Sequence, residues 1–213
     1  MELSSKDITD LFVFVADRII ENEPYLCELD SVVGDGDHGI TMTRGWKNAK
    51  KALLNCDGTI AEKFSAMGTA LASNMGGAIG PIYGTLFKTF AKESEGREAL
   101  NPETVAGMFG QGLQKIKLAA DVKEGQKTLV DALSPAADSL SESAKGGLDL
   151  RQALEAAAEC AEKGAQATVD MVARKGRAKF LKEKSLGHQD AGATSMAIMV
   201  KAMSEFFVQG NIG

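Results

Sequence analysis

The chain has 213 residues, 44% of them hydrophobic and 25% charged, with a formal net charge of −5. That balance furnishes a buried core for one domain, two at most, and excludes wholesale disorder. The negative charge argues against nucleic acid as a partner. No uninterrupted apolar run approaches the ~18 residues of a membrane span.

The first ten residues carry Glu2, Lys6, Asp7 and Asp10, which reads against a secretory leader. Cys27, Cys56 and Cys160 form no CxxC pair and read as small packing residues, so a reducing, cytoplasmic setting is expected. Apolar residues Ile8, Leu11, Phe12, Val15 and Ile19 recur at helical spacing and predict a helix over 4–23. Thr59 opens another, with Ile60, Phe64, Met67 and Leu71 on one face. Asn101-Pro102-Glu103 combines an N-cap, a first-turn proline and a first-turn acid. Ala-rich stretches predict helices over 128–144 and 150–175, and the Met-rich stretch 192–208 predicts the last. No segment shows sustained strand alternation. The expectation is an all-α protein of about eight antiparallel helices, a single domain over 1–213.

Three glycine-containing segments interrupt the helices. The first, Leu29 to Gly39, is acidic. Between Ile19 and Thr43 there are six acids and no Lys or Arg. Carboxylates so dense repel one another unless solvated or gathered on a metal. Asp35 and Asp37, two apart, share a side in extended backbone, and Asp30 enters from a preceding short helix. Three oxygen donors suit a hard divalent cation such as Mg²⁺. Gly34-x-Gly36-x-x-Gly39 matches the dinucleotide fingerprint, but the βαβ context is missing and two carboxylates inside the turn oppose a bare pyrophosphate. An EF-hand fails because Trp46 stands where the bidentate Glu belongs. A solvated acidic turn is the plain alternative to a metal site.

The second segment, Ser73 to Thr85, sets Gly76, Gly77, Gly80 and Gly84 between two helices. Such a turn bares N–H groups at a helix start, a phosphate cradle, or else lets two helices pack closely. It is not a P-loop, since no Lys-Ser or Lys-Thr follows. The third segment holds Arg174, Lys175, Arg177, Lys179, Lys182 and Lys184 against Glu183, then turns through Gly187-His188-Gln189-Asp190-Ala191-Gly192. Only Phe180 is interleaved as a stacking platform, which weakens a nucleic-acid reading. No GxSxG, HExxH or Cys-His pairing offers a nucleophile or a zinc site, so the catalytic residue stays unassigned.

Four motifs recur in order: Leu29-Asp30-x4-Asp35-Gly36-Asp37-His38-Gly39; Gly76-Gly77-Ala78-x-Gly80-Pro81-x-x-Gly84-Thr85; Gly125-x-Lys127-Thr128-x-x-Asp131-Ala132-Leu133-x-Pro135-Ala136; and Arg177-Ala178 through Gly187-His188-Gln189-Asp190-x-Gly192-Ala193-Thr194-Ser195. Together they resemble the nucleotide-binding subunit L of dihydroxyacetone kinase, which is also the C-terminal domain of one-chain ATP-dependent kinases. The resemblance runs over about residues 5–208. It implies a barrel of eight antiparallel helices with nucleotide at one rim, and two Mg²⁺ held by Asp30, Asp35 and Asp37. It implies nucleotide contacts at His38, Gly39, Ile40, Thr41, Ala78, Ile79, Leu129, Arg177, Asp190, Ala191 and Gly192.

Two departures stand out: Ile79 where the family usually has Ser, and Ala191 where it usually has Pro. The resemblance further implies bound ADP that is phosphorylated by a phosphohistidine protein of the phosphotransferase system. The phosphoryl group then passes to dihydroxyacetone on a separate substrate subunit. A homodimer is expected. An ATP-exchanging subunit for another short ketose such as erythrulose, or a nucleotide-holding regulatory adaptor, are the alternatives.

Overall fold

The computed structural model describes residues 2–208, and the described part is almost wholly helical. Nine α-helices follow one another: α1 (Ser5–Glu21), α2 (Glu23–Val33), α3 (His38–Leu54), α4 (Ile60–Asn74), α5 (Ile79–Glu93), α6 (Pro102–Ala120), α7 (Val130–Lys145), α8 (Leu150–Ala167) and α9 (Ala191–Val208). Eight of them close a ring. Each of α3 to α8 packs on its successor, α9 returns to α1, and α1 meets α3, while the short α2 lies against α3 and α9. Consecutive ring helices run up and down, most of them joined by short connections, with the long exception between α8 and α9. The expected barrel of eight is therefore present, with α2 as an added ninth helix. One pairing departs from the all-helical expectation: Leu3–Ser4 and Ala99–Leu100 form a two-residue antiparallel ladder tying the N-terminus to the α5–α6 connection.

The core divides by side-chain size. Around α1, α3, α4, α5 and α6 it is aromatic. Phe12, Phe64, Phe87 and Phe90 meet edge-on or tilted with centroids 5.3–6.2 Å apart, and Trp46 stands edge-on to Tyr83 and Phe87. Such contacts add about 0.5–1.5 kcal/mol each beyond area burial. Around α7 and α8 the interior is Ala132, Ala136, Ala153, Ala157 and Ala161, all buried, so the backbones approach closely. A Cβ on Gly164 of α8 would lie 2.2 Å from the Asp131 carbonyl oxygen of α7.

Helix ends follow the sequence signals. Ser4 with Asp7, Thr59 with Glu62 and Asp149 with Gln152 form capping boxes on α1, α4 and α8, and Asn101 caps α6. The predicted helix over 150–175 is shorter than expected. It stops at Ala167, one 3₁₀ turn follows over Thr168–Asp170, and two further 3₁₀ turns occupy Ala178–Ser185, separated by a kink at Lys182 (φ 50°). The predicted start at 128 also moves, to Val130, and Thr128 and Leu129 belong to the turn that leads into the helix after the left-handed Lys127 (φ 60°).

Candidate functional site: a nucleotide and metal cavity

A cavity of about 470 Å³ opens at one end of the barrel. Its wall is built where α3, α5, α7 and α9 begin and α6 ends. Of the eleven residues expected to touch nucleotide, nine line it: His38, Thr41, Ala78, Ile79, Leu129, Arg177, Asp190, Ala191 and Gly192. Gly39 and Ile40 do not line it. Gly39 is buried where α3 meets α2, since a Cβ there would lie 2.1 Å from the Glu23 carbonyl oxygen and 2.7 Å from Cys27 Sγ. Ile40 is half-exposed on the outer face.

The three aspartates converge. Asp30, Asp35 and Asp37 each offer a carboxylate oxygen, and these oxygens lie within 4.8 Å of one another. The convergence does not come from an extended strand. Asp30 projects from α2, Gly36 turns the chain at φ 75°, and Asp37 is helical at φ −101°, ψ −1°. Asp30 Oδ2 accepts the backbone N–H groups of Asp37 (3.0 Å) and His38 (3.3 Å), which pins the loop. Gly34 is required for space, as a Cβ would lie 2.2 Å from Asp30 Oδ1. Among the described residues, the side-chain cation paired with the cluster is Arg177, which reaches across from the late basic segment to Asp35. Half-exposed carboxylates gathered this tightly are the donor set that a hard divalent ion takes, and the residues fit Mg²⁺.

Next to the acids lies the electropositive part of the wall. The helices that begin at the far end of the barrel, α1, α4, α6 and α8, carry side-chain caps. Of those that begin at the cavity, α3, α5 and α7 have no cap from the residue before them, although Asp30 Oδ2 takes His38 N and Thr128 Oγ1 takes Val130 N, while Asp190 Oδ2 caps α9 through Ala193 N. First-turn N–H groups left without a cap, at the positive end of a helix dipole, receive anionic oxygens. Gly77, at φ 62° with nothing within 4 Å of a built Cβ, leaves the approach to α5 open. Val33, Ile82, Val122 and Leu129 supply an apolar surface beside it. An acidic cluster, helix starts and an apolar wall fit a metal-bound nucleoside diphosphate.

Electrostatics inside the wall are perturbed by burial. Asp190 is pushed up to about 7 by desolvation, opposed by the Ala193 N–H donated to its Oδ2 (2.7 Å) and by the Lys127 charge. Burial lowers His38, with the Asp30 charge opposing. Its Nε2 lies 3.0 Å from Ser195 Oγ, whose own proton goes to the Gly192 carbonyl at 3.0 Å. That hydroxyl is therefore the acceptor, and neutral His38 carries its proton on Nε2.

The sequence assigned no role to Arg44 or Lys127, yet both line the cavity. Arg44 donates from Nε to the Asn74 carbonyl (2.7 Å), joining α3 to the glycine segment. His38, Thr41 and Arg44 follow one another at intervals of three along α3, which turns them to one side of the helix, a signal readable once α3 is drawn. Asp131, quoted only as part of a motif, shapes the loop before α7 by accepting from Gly125 N (2.5 Å) and Thr128 N (2.7 Å). A wider depression of about 910 Å³ lies between α1, α8 and α9 and contains none of the expected residues. Two ion pairs there, Lys201–Glu162 at 2.6 Å and Arg18–Glu205 at 3.5 Å, neutralise most of its charge.

The fold and this cavity define a helical nucleotide-site domain, and comparison with known proteins agrees. The DAK2 domain model matches residues 32–205, and the chain belongs to that family. It is 38% identical to the Escherichia coli K12 protein named PEP-dependent dihydroxyacetone kinase, ADP-binding subunit DhaL, over 96% of this chain and 98% of that one. It is 34% identical to the PTS-dependent ADP-binding subunit DhaL of Lactococcus lactis, over 89% and 91%. The C. freundii dihydroxyacetone kinase crystallised with AMP-PNP and Mg²⁺ superposes with a TM-score of 0.74 at 26% identity. The match covers 96% of this chain and 34% of the C. freundii one, so the chain spans about a third of that kinase.

Proposed function

We propose that this protein is the nucleotide- and Mg²⁺-binding subunit of a dihydroxyacetone kinase whose donor is a phosphohistidine protein of the phosphotransferase system. The observation that carries the reading is the meeting, in one cavity, of the Asp30–Asp35–Asp37 cluster with the starts of α3, α5 and α7. Near full-length similarity to proteins themselves named ADP-binding subunits supports it. When bound, the magnesium nucleotide would serve as the phosphoryl carrier between donor and ketone, with charge neutralised by the metal.

The chain's own residues bind, orient and exclude water. Asp30, Asp35 and Asp37 would hold two Mg²⁺. The N–H groups at Ala78 and Ile79 and at Leu129 would receive phosphate oxygens. His38, with its ring fixed by Ser195, and Thr41 would belong to the same contact set, as would Asp190, Ala191 and Gly192, whereas Gly39 and Ile40 lie off the cavity wall. Arg177 would lie over the phosphates as part of a lid that keeps water from competing for the phosphoryl group. No side chain is assigned as a nucleophile, since positioning and charge stabilisation suffice for this chemistry.

The ketone-binding subunit and the phosphohistidine donor are the proposed partners. The proposal also takes residues 1–213 as one domain, forming a homodimer in the cytoplasm. Among the described residues no helix is long and apolar enough to cross a membrane.

Mass spectrometry of the purified protein is expected to find ADP. Mixed with Mg²⁺ and dihydroxyacetone, the protein is expected to form sugar phosphate only once substrate subunit and phosphohistidine donor are both added. Turnover by this chain alone with free ATP overturns the assignment. In calorimetry, Asp35→Asn and Asp37→Asn are each expected to weaken Mg²⁺-dependent ADP binding by about tenfold or more, the scale of one lost charge-assisted contact. Unchanged affinity in both removes the metal assignment.

A further inference from the structure

Lys127 combines two features that natural chains seldom pair. Its backbone is left-handed (φ 60°), a conformation costly for a residue with a side chain. Its side chain is 1% exposed, yet it forms no salt bridge. Instead the ammonium is surrounded by carbonyl oxygens. Nζ donates to Thr168 O at 2.7 Å, Ser185 O at 2.8 Å and Met171 O at 3.2 Å, and also to His188 O. Three N–H bonds serve four acceptors, so one hydrogen is shared.

The four carbonyls fall in two pairs. Thr168 and Met171 open the segment between α8 and α9, and Ser185 and His188 close it. One buried cation therefore holds both ends of the loop. Further bonds knit the same base: Ala173 N donates to Ser185 Oγ (2.9 Å), Gly187 N to Val169 O (2.9 Å), and Asp190 N to Thr168 Oγ1 (2.9 Å). Between the gathered ends the chain turns at Gly176 (φ 65°) and carries Arg177 to Asp35.

We propose that Lys127 is a positioning residue, a buried clamp whose ammonium gathers both ends of the 168–188 segment and so sets Arg177 and Asp190 at the cavity. The proposal deepens the nucleotide reading and rests on it for the ligand. The strained backbone fits this role, because the left-handed turn aims the side chain inward from the loop before α7. A neutral side chain of the same length would leave four buried carbonyls without a donor, which opens the base of the loop rather than the barrel.

Hydrogen exchange on nucleotide-free protein tests the clamp without using activity. In Lys127→Met the amides of Ala173, Gly187 and Asp190 are expected to exchange about tenfold faster or more, equivalent to ~1.4 kcal/mol of local opening. Core amides of α4 and α5 should keep the parent's rates. The ADP off-rate should rise with the loop opening. Lys127→Gly, which relieves the backbone but lacks the cation, should behave like Lys127→Met. If it restores parental exchange, the backbone and not the ammonium is what matters, and the proposal falls.

Equal acceleration of exchange throughout the barrel, with the parental ADP off-rate, shows a merely structural lysine and also overturns it. Should both variants fail to fold, Lys127→Gln takes their place. Its amide returns two N–H donors for the four carbonyls without the charge or the full reach, and faster exchange at Ala173, Gly187 and Asp190 with a faster ADP off-rate in a folded protein is the expected result. A parental off-rate there counts against the clamp. A parent that binds no ADP would defeat the nucleotide reading, while the exchange experiment would still decide the clamp.

Discussion

Asp30 uses its two oxygens differently. Oδ2 is taken by the N–H groups of Asp37 and His38, and Oδ1 lies where a Cβ on Gly34 would intrude. Gly34 sits at φ −139°, outside the left-handed region, and a Cβ there meets Asp30 Oδ1 at 2.2 Å and, less closely, the Asp30 carbonyl oxygen at 3.1 Å. Gly34→Ala is therefore expected to lower Mg²⁺-dependent ADP affinity by about tenfold, ~1.4 kcal/mol, with only a small fall in the urea midpoint. Titration calorimetry beside urea unfolding checks it, and a large loss of stability with intact affinity would contradict it.

A second residue-scale expectation concerns acid. Glu124 is lowered from 4.5 to about 2 by hydrogen bonds from Lys117 and from Ser134 Oγ (2.5 Å). A depressed carboxylate adds stability above its unfolded value, and this fades as pH falls from 4.5 toward 2, where the unfolded chain binds more protons. The carboxylate is half-exposed, so the contribution is modest. Glu124→Gln should narrow the difference between urea midpoints at pH 3 and pH 7.

At the scale of elements, the segment between α8 and α9 separates into a clamped base and a cationic tip. Lys182 and Lys184 stand exposed on the tip with Phe180, which is 78% exposed, whereas Arg177 is turned to the acidic loop. Arg177→Ala is expected to speed ADP release. Lys182→Ala combined with Lys184→Ala should leave release unchanged and slow phosphoryl transfer between subunits, more so at low salt, where surface charges act over longer range. Stopped-flow release and a coupled transfer assay at two ionic strengths separate these effects.

The sequence made the starts of α4, α6 and α8 legible, because their caps are local. It placed the three acids in one loop for the same reason. It overran α8 by eight residues, since the break after Ala167 is made by partners far along the chain: Lys127 for the Thr168 carbonyl, Asp190 for its hydroxyl. Arg44 stayed silent because its partner Asn74 lies 30 residues away. Local chemistry can be read from neighbours, and contacts closed by the barrel cannot.

For the whole molecule, the aromatic half and the alanine half of the ring make one continuous core, so global unfolding is expected to be cooperative. Magnesium ADP should raise its stability by ligand linkage, about 2.7 kcal/mol at a free concentration a hundred times the Kd. A calorimetric melt with and without the ligand measures this. An unmoved melting temperature at saturation would mean that native and unfolded chains bind it alike.

The unequal caps give that stabilisation a direction. One end of the barrel is finished by serine, threonine, asparagine and aspartate side chains. At the other, the start of α5 has no side-chain partner, so its first-turn amides are expected to exchange more slowly once anionic oxygens occupy the cavity, while far-end amides keep their rates. A protein that docks on the cavity end would then meet a surface whose stiffness depends on whether the carrier is loaded.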